Sequence, residues 1–315
     1  MLLLRSIIVF WLFTASALAN EAELKAQQWL EKMSLSMKTL NYQGTVAFFK
    51  NGRLDTMKYF HTTDSGQEQE RLLSLNSPMR EVIREAGKVS CVFKNSQKIV
   101  VNHHPVSQSF IVDLPVEFSA AGVNYHFSLR DEESVAMLPT RVISIQAKDK
   151  YRYDRKIWID KQYFLPLKME VYDLSGETLE QVVFTDLKVD NQPELVSANN
   201  KLEDTRVKEV HRTEPSSFDE ADFVLENIPS GFQSVFFIRM KMDDSTQSAD
   251  HLLLSDGFSS VSVYREAQAD DVQLGLQTLG SVNSFSLVID DFQITALGEV
   301  PAQTVQFIAQ GVKLR

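Results

Sequence analysis

The stretch Thr45-Val46-Ala47-Phe48-Phe49-Lys50-Asn51-Gly52-Arg53-Leu54-Asp55-Thr56-Met57-Lys58-Tyr59-Phe60 decides the fold. Asn51-Gly52 supplies the two positive-φ residues that a tight hairpin turn demands, and apolar and aromatic residues flank the pair on both sides. Working outward, Ala86-Gly87 separates Arg80-Glu81-Val82-Ile83-Arg84 from the strand-like run Lys88-Val89-Ser90-Cys91-Val92-Phe93. Ser175-Gly176 separates Leu167-Lys168-Met169-Glu170-Val171 from Thr178-Leu179-Glu180-Gln181-Val182-Val183-Phe184. Within the 167–171 strand the apolar residues share one face and the charged ones the other, as in a sheet with one dry side. Successive hairpins of this kind predict one large, curved antiparallel sheet. Upstream, Ala22, Ala26, Trp29, Met33, Met37 and Leu40 recur every three or four residues, which predicts a helix over 21–39 able to cover one face of that sheet.

From 191 to about 219 the chain turns polar and charged, and a linker is expected over 199–217, although 200–210 reads equally well as a short polar helix. Strands follow around 234–240, 251–254, 258–265, 285–289 and 292–296. A helix then begins with Pro301 in its first turn, where a missing N–H costs nothing, and Val305, Ile308, Ala309 and Val312 make its apolar stripe. The predicted fold class is α+β in two domains: a sheet-dominated domain over 20–198 and a smaller α+β domain over 218–315 that ends in a helix.

At the start of the chain, Arg5 is the only charge before Glu21, and the apolar run 6–13 is much shorter than the roughly 20 residues that cross a bilayer. Ala17-Leu18-Ala19 supplies a small-x-small cleavage pattern. Residues 1–19 therefore read as a cleavable secretory signal peptide, cut after Ala19 to leave a soluble mature chain. Among 315 residues there are 42 acids and 32 bases, a formal charge of -10, and removal of Arg5 takes it to -11. Such a chain is no general nucleic-acid binder, because phosphate neutralisation needs clustered Lys and Arg. Cys91 is the single cysteine, so no intramolecular disulfide exists and Cys91 reads as a small packed side chain.

The six histidines form no helical metal pair, and His103-His104 alternate across an extended segment before Pro105. No G-x-S-x-G elbow, S-x-x-K, P-loop or G-x-G-x-x-G occurs, and the doublets Asp243-Asp244, Asp270-Asp271 and Asp290-Asp291 lack calcium-loop spacing. No catalytic residue, metal or cofactor is assigned, and a binding protein is favoured over an enzyme.

Ser77-Pro78-Met79-Arg80-Glu81-Val82-Ile83, Ile157-Trp158-Ile159-Asp160 with Leu165-Pro166-Leu167, and Ser175-Gly176-Glu177-Thr178-Leu179-Glu180-Gln181 resemble the first domain of the sigma-E regulatory family RseB/MucB. Ile228-Pro229-Ser230-Gly231-Phe232, the run 254–263 and Leu297-Gly298-Glu299-Val300-Pro301-Ala302-Gln303-Thr304 resemble its smaller domain. The resemblance implies a periplasmic protein that binds the periplasmic part of an anti-sigma factor of the RseA/MucA kind and shields it from site-1 proteolysis. It also implies a first domain like the lipoprotein carriers LolA and LolB, an unclosed β-barrel with helices over its mouth. Binding of lipid or lipopolysaccharide there would release the anti-sigma factor, and a lipid or lipoprotein carrier is the alternative reading. Self-association is left open.

Strand alternation selects Val46, Phe48, Ile83, Ile143, Ile145, Ile157, Ile159, Met169 and Val171 as residues lining an acyl-chain groove. At about 0.8 kcal/mol per buried methylene, a chain of about 12 carbons would gain roughly 10 kcal/mol gross. Arg80, Arg84, Arg152 and Arg155 are the bases that a phosphorylated headgroup would need. For the anti-sigma factor, the linker region and the strand carrying Leu254, Phe258, Val261 and Val263 are the expected contacts.

Overall fold

The structure, a computed structural model, describes residues 2–76, 80–85, 88–93, 97–101, 109–190, 206–209, 216–241, 248–268 and 273–315. The turn at Ala86-Gly87, the His103-His104 pair and most of the expected linker lie outside these residues. Helix α1 (Leu2–Thr39) runs unbroken through the stretch read as a signal peptide and the amphipathic segment after it. Among the described residues no helix is long and apolar enough to cross a membrane.

The first domain is a sheet of twelve strands. In chain order these are β1 (Tyr42–Lys50), β2 (Arg53–Asp64), β3 (Gln67–Ser74), β4 (Arg80–Glu85), β5 (Lys88–Phe93), β6 (Gln97–Val101), β7 (Tyr125–Val135), β8 (Leu138–Ala147), β9 (Asp154–Asp160), β10 (Pro166–Tyr172), β11 (Thr178–Val189) and β12 (Arg206–Glu209). Their order across the sheet is β12-β6-β5-β4-β3-β2-β1-β11-β10-β9-β8-β7, so the sheet is unclosed, with β12 and β7 at its edges. Every pairing is antiparallel except β12 on β6, which is parallel and places a short strand where a linker or polar helix was expected. At Asn51-Gly52 both residues take positive φ, 56° and 70°, as the hairpin turn requires.

Leu72 on β3 and Ile143 on β8 belong to one contiguous core, although six strand steps separate them. At about 4.8 Å per step a flat sheet would hold them roughly 29 Å apart, so the sheet wraps around that core. On the helix, Ala26, Leu30, Met33 and Met37 are buried at spacings of four, three and four residues, and α1 packs across β7 and β8. Ala22 is exposed, and Leu30 takes a central place in the buried stripe.

The second domain is an antiparallel sheet of β14 (Gln233–Lys241), β15 (Ser248–Ser255), β16 (Ser260–Ala267), β17 (Gly275–Leu279), β18 (Val282–Ile289) and β19 (Phe292–Gly298), ordered β14-β15-β16-β19-β18-β17. Helix α3 (Ala302–Gln310) lies across β18 and β19, burying Val305, Ile308 and Ala309 as its spacing predicts. The chain ends in β20 (Val312–Leu314), which pairs with β13 (Phe223–Leu225) and takes in Val312 as a strand residue rather than a helical one.

Candidate functional site

The concave face of the first sheet has an apolar half and a polar half. In the apolar half Ile143, Ile157, Met169, Val182 and Phe48 are consecutive cross-strand partners, so they share one face. Val46, Ile145 and Ile159 are buried in the same core, Phe48 and Met169 pack against it half-buried, and Val171 is buried opposite Arg155. Ile83 does not belong with them. It pairs with Arg71 and Ser90, whereas its neighbour Val82 faces the core, and a one-residue offset in a strand reverses the face. Nor is the face an open groove, because α1 and residues 111–114 fill it: Ile111, Val112 and Leu114 are buried among the same side chains.

The polar half is centred on Glu70 of β3. Its carboxylate accepts from Tyr59 Oη at 2.9 Å, from Arg84 Nε at 3.2 Å and from the backbone N–H of Phe110 at 2.8 Å. Tyr42 Oη lies 3.3 Å from Tyr59 Oη, and His61 stacks on Tyr42 with Nδ1 2.8 Å from Leu40 O. Burial above all, with Glu70 adding to it, pushes the Tyr42 phenol well above its usual value, and burial next to Tyr42 and Glu70 does the same to Tyr59. Arg84 is thus engaged inside the first domain, while Arg152 and Arg155 meet the second, so these three bases form no common phosphate patch.

The domains meet along two stretches: Glu180, Tyr153 and Tyr151 bond Ser281, Asn283 and Thr304, and the turn between β15 and β16 makes the other contact. Asp256 Oδ1 accepts from the N–H of Phe258 and of Ser259, at 3.0 and 2.8 Å, which folds the turn locally, and Gly257 takes φ +95°. The other oxygen, Oδ2, accepts from Tyr125 Oη at 2.8 Å and Arg152 Nε at 2.6 Å. Arg152 is fully buried and also bonds Asp149 and Ser230 O. Burial alone would lower its pKa, but Asp256, Tyr125 and Asp149 outweigh that and raise it. Burial, with Asp256 next, holds the Tyr125 phenol well above its usual range. Arg155 Nη2 donates to Ser259 Oγ at 3.1 Å. Phe258, only 3 % exposed, leaves its own domain and packs among Phe118, Tyr125 and Phe127 in the first.

Beside this seam lies a cleft of about 570 Å³, within the range of ordinary binding clefts. One wall is formed by residues 113–117 with Ala120, Ala121 and Asn124, the other by Gly231, residues 233–235 and residues 255–260. Val116 and Val235, 88 % and 50 % exposed, stand on opposite walls. Strand β14 is a sheet edge, and Val235 is its bulged residue, since Ser234 and Phe236 pair with consecutive residues of β15. Bulges at sheet edges commonly re-aim a side chain towards a site.

Leu254, Val261 and Val263 are fully buried in the second core, on the face that α3 covers. Phe258 is sealed in the first domain. None of the four presents a surface to a partner, because alternation turned them inward; the surface nearby belongs to Val235, Val116 and the 255–260 turn. The local signal is the turn dipeptide Asp256-Gly257, between the stretches that read as strands at 251–254 and 258–265. Among the described residues no three or more His, Cys, Asp or Glu are placed to hold a metal ion.

A family model of the MucB/RseB N-terminal domain matches residues 25–210, and one of the MucB/RseB C-terminal domain matches residues 217–313. The chain belongs to the MucB/RseB family. Among its relatives, the Sigma-E factor regulatory protein RseB of Haemophilus influenzae is 25% identical over 304 residues, 95% of each chain. The Sigma factor AlgU regulatory protein MucB of Pseudomonas aeruginosa is 26% identical over 299 residues, 91% of this chain and 90% of the other. The fold is also that of MucB in the Pseudomonas aeruginosa MucA/MucB complex, with a TM-score of 0.72 at 24% identity over 92% of this chain and 99% of that one. These MucB/RseB relatives are named as regulators of sigma factors.

Proposed function

We propose that this protein is a periplasmic negative regulator of an envelope-stress sigma factor. It binds the periplasmic part of an anti-sigma factor of the RseA/MucA kind in the cleft between its domains and shields that factor from site-1 proteolysis. Lipid or lipopolysaccharide arriving at the first domain releases it. The observation that carries this reading is the ordered match of both family domains, with a two-walled cleft where they meet. The outer edge of β14 is bridged by Ser216 at Phe237, and its stretch around the exposed Val235 suits an extended segment that adds backbone hydrogen bonds and seats apolar side chains between Val235 and Val116. Residues 1–19 act as the export signal, cleaved after Ala19.

Calorimetric titration of the mature protein with the periplasmic segment of the co-encoded anti-sigma factor tests this. Binding at micromolar or tighter Kd is expected, weakened at least tenfold by Val235→Asp. No heat at tens of micromolar would sink the proposal.

A further inference from the structure

We infer that residues 109–117, between β6 and the short helix α2 (Phe118–Ala121), form a strap that couples the concave face of the first domain to the interdomain cleft. The strap has two faces with different duties. Inwardly, Ile111, Val112 and Leu114 lie buried against the first core, and Phe110 N–H donates to Glu70 Oε2 at 2.8 Å. Outwardly, Asp113, Leu114, Pro115, Val116 and Glu117 form one wall of the cleft. At the far end Pro115 presses on the turn of the second domain: a Cβ placed on Gly257 would overlap Pro115 and come 3.0 Å from its nitrogen. That turn carries Phe258 and Asp256, which join the two domains beside the cleft.

A segment with this construction cannot leave the concave face without changing the cleft wall and unseating its contact with Gly257. The strap has no strand or helix over 109–117, so no sheet ladder resists its departure. Beneath it the space enclosed by Ser34, Met37, Lys38, Glu68, Glu70, Ser109, Val112 and Leu114 is only about 10 Å³, the size of one water. The concave face is filled by α1 and by the strap, so an acyl chain that enters on the strap side takes the place of Ile111, Val112 and Leu114. The exchange swaps one set of apolar contacts for another, so a ligand that favours the lifted state shifts the population through its differential affinity alone. Naming a single-chain lipid as trigger rests on the proposed function; the mechanical coupling does not.

Hydrogen exchange on the full mature protein tests it, with and without micelles of lauroyl lysophosphatidylglycerol, alongside Val112→Asp, which expels the strap from the core. The coupling predicts that lipid raises exchange at 109–117 and 255–260 together. Val112→Asp should do the same without lipid and weaken the anti-sigma segment at least tenfold. Faster exchange at 109–117 with 255–260 unchanged would overturn the coupling. If lipid alone is silent while Val112→Asp gives the paired response, the coupling stands and the lipid trigger fails. If the anti-sigma segment does not bind the unaltered protein, the proposed function fails, and the exchange at 255–260 still decides the coupling. Should Val112→Asp lose its circular-dichroism signal, Gly257→Ala, which drives a methyl group into Pro115, serves in its place and predicts the same paired response.

Discussion

The two halves of the first domain's concave face do the same job with opposite chemistry. Under α1, Ile143, Ile145, Ile157 and Ile159 make a wholly apolar packing layer. Under the strap, Tyr42, Tyr59, His61, Glu70 and Arg84 bury a charged and hydrogen-bonded cluster in the same wrapped sheet. Burying an ion pair stabilises little by itself, since desolvation offsets the Coulombic gain, but it fixes what its neighbours can do. In this protein it fixes the strap through the Phe110 N–H. The apolar half is a foundation, and the polar half is a latch.

Removing one partner of the latch is expected to have the largest effect. Glu70→Ala leaves Arg84 without its carboxylate, and should lower unfolding free energy by about 3–5 kcal/mol in urea titrations. Replacing Glu70 and Arg84 together by Leu and Met should recover only part of that loss, because it removes the orphaned charge but leaves Tyr59 Oη and the Phe110 N–H without the carboxylate they donate to; full recovery would show that the latch stabilises by charge pairing alone. Next comes Ile157→Ala in the foundation, expected at roughly 2–5 kcal/mol for a cavity in a fully buried site. It should leave exchange at 109–117 unchanged, in contrast to Glu70→Ala. Ile83→Ala is a smaller perturbation, below about 1 kcal/mol, since Ile83 sits half-buried on the convex face. A loss matching that of Ile157→Ala would place Ile83 back in the core.

The smallest effect belongs to the turn before β11. The Ser175 hydroxyl and the N–H groups of Glu177, Ser175 and Gly176 hold the Asp173 carboxyl below its usual 3.8. A depressed carboxyl contributes stability that is present above its ordinary value and lost as pH falls through the lowered one. Asp173 is only partly buried, so solvent screening keeps the contribution to about 0.5 kcal/mol or less. The stabilities of Asp173→Ala and the unaltered protein should therefore converge as pH falls through the lowered carboxyl value.

The contrast also explains what was legible beforehand. The foundation could be read from alternation, because Ile157 and Ile159, or Met169 and Val171, repeat every second residue between turn dipeptides. The latch could not, since Glu68-Gln69-Glu70-Arg71 reads as a solvated strand and only the wrap of the sheet buries Glu70. The β7–β8 hairpin was also hidden, as Ala136 and Met137 take positive φ without a glycine or asparagine to announce it. Alternation misplaces Ile83 by one residue, on the face opposite the core that Val82 meets. Leu254, Val261 and Val263 face the second core rather than a partner, as apolar strand residues do far more often. The interdomain site depends on Arg152 meeting Asp256 across more than a hundred residues, which no local pattern records.

Protection against the site-1 protease is the most direct test of the central claim. The periplasmic segment of the anti-sigma factor, incubated with that protease and a molar excess of the mature protein, should remain largely uncut, while the same amount of Val235→Asp should leave it cleaved at close to the unprotected rate. Equal cleavage with and without the unaltered protein, at concentrations where calorimetry detects the complex, would contradict the account.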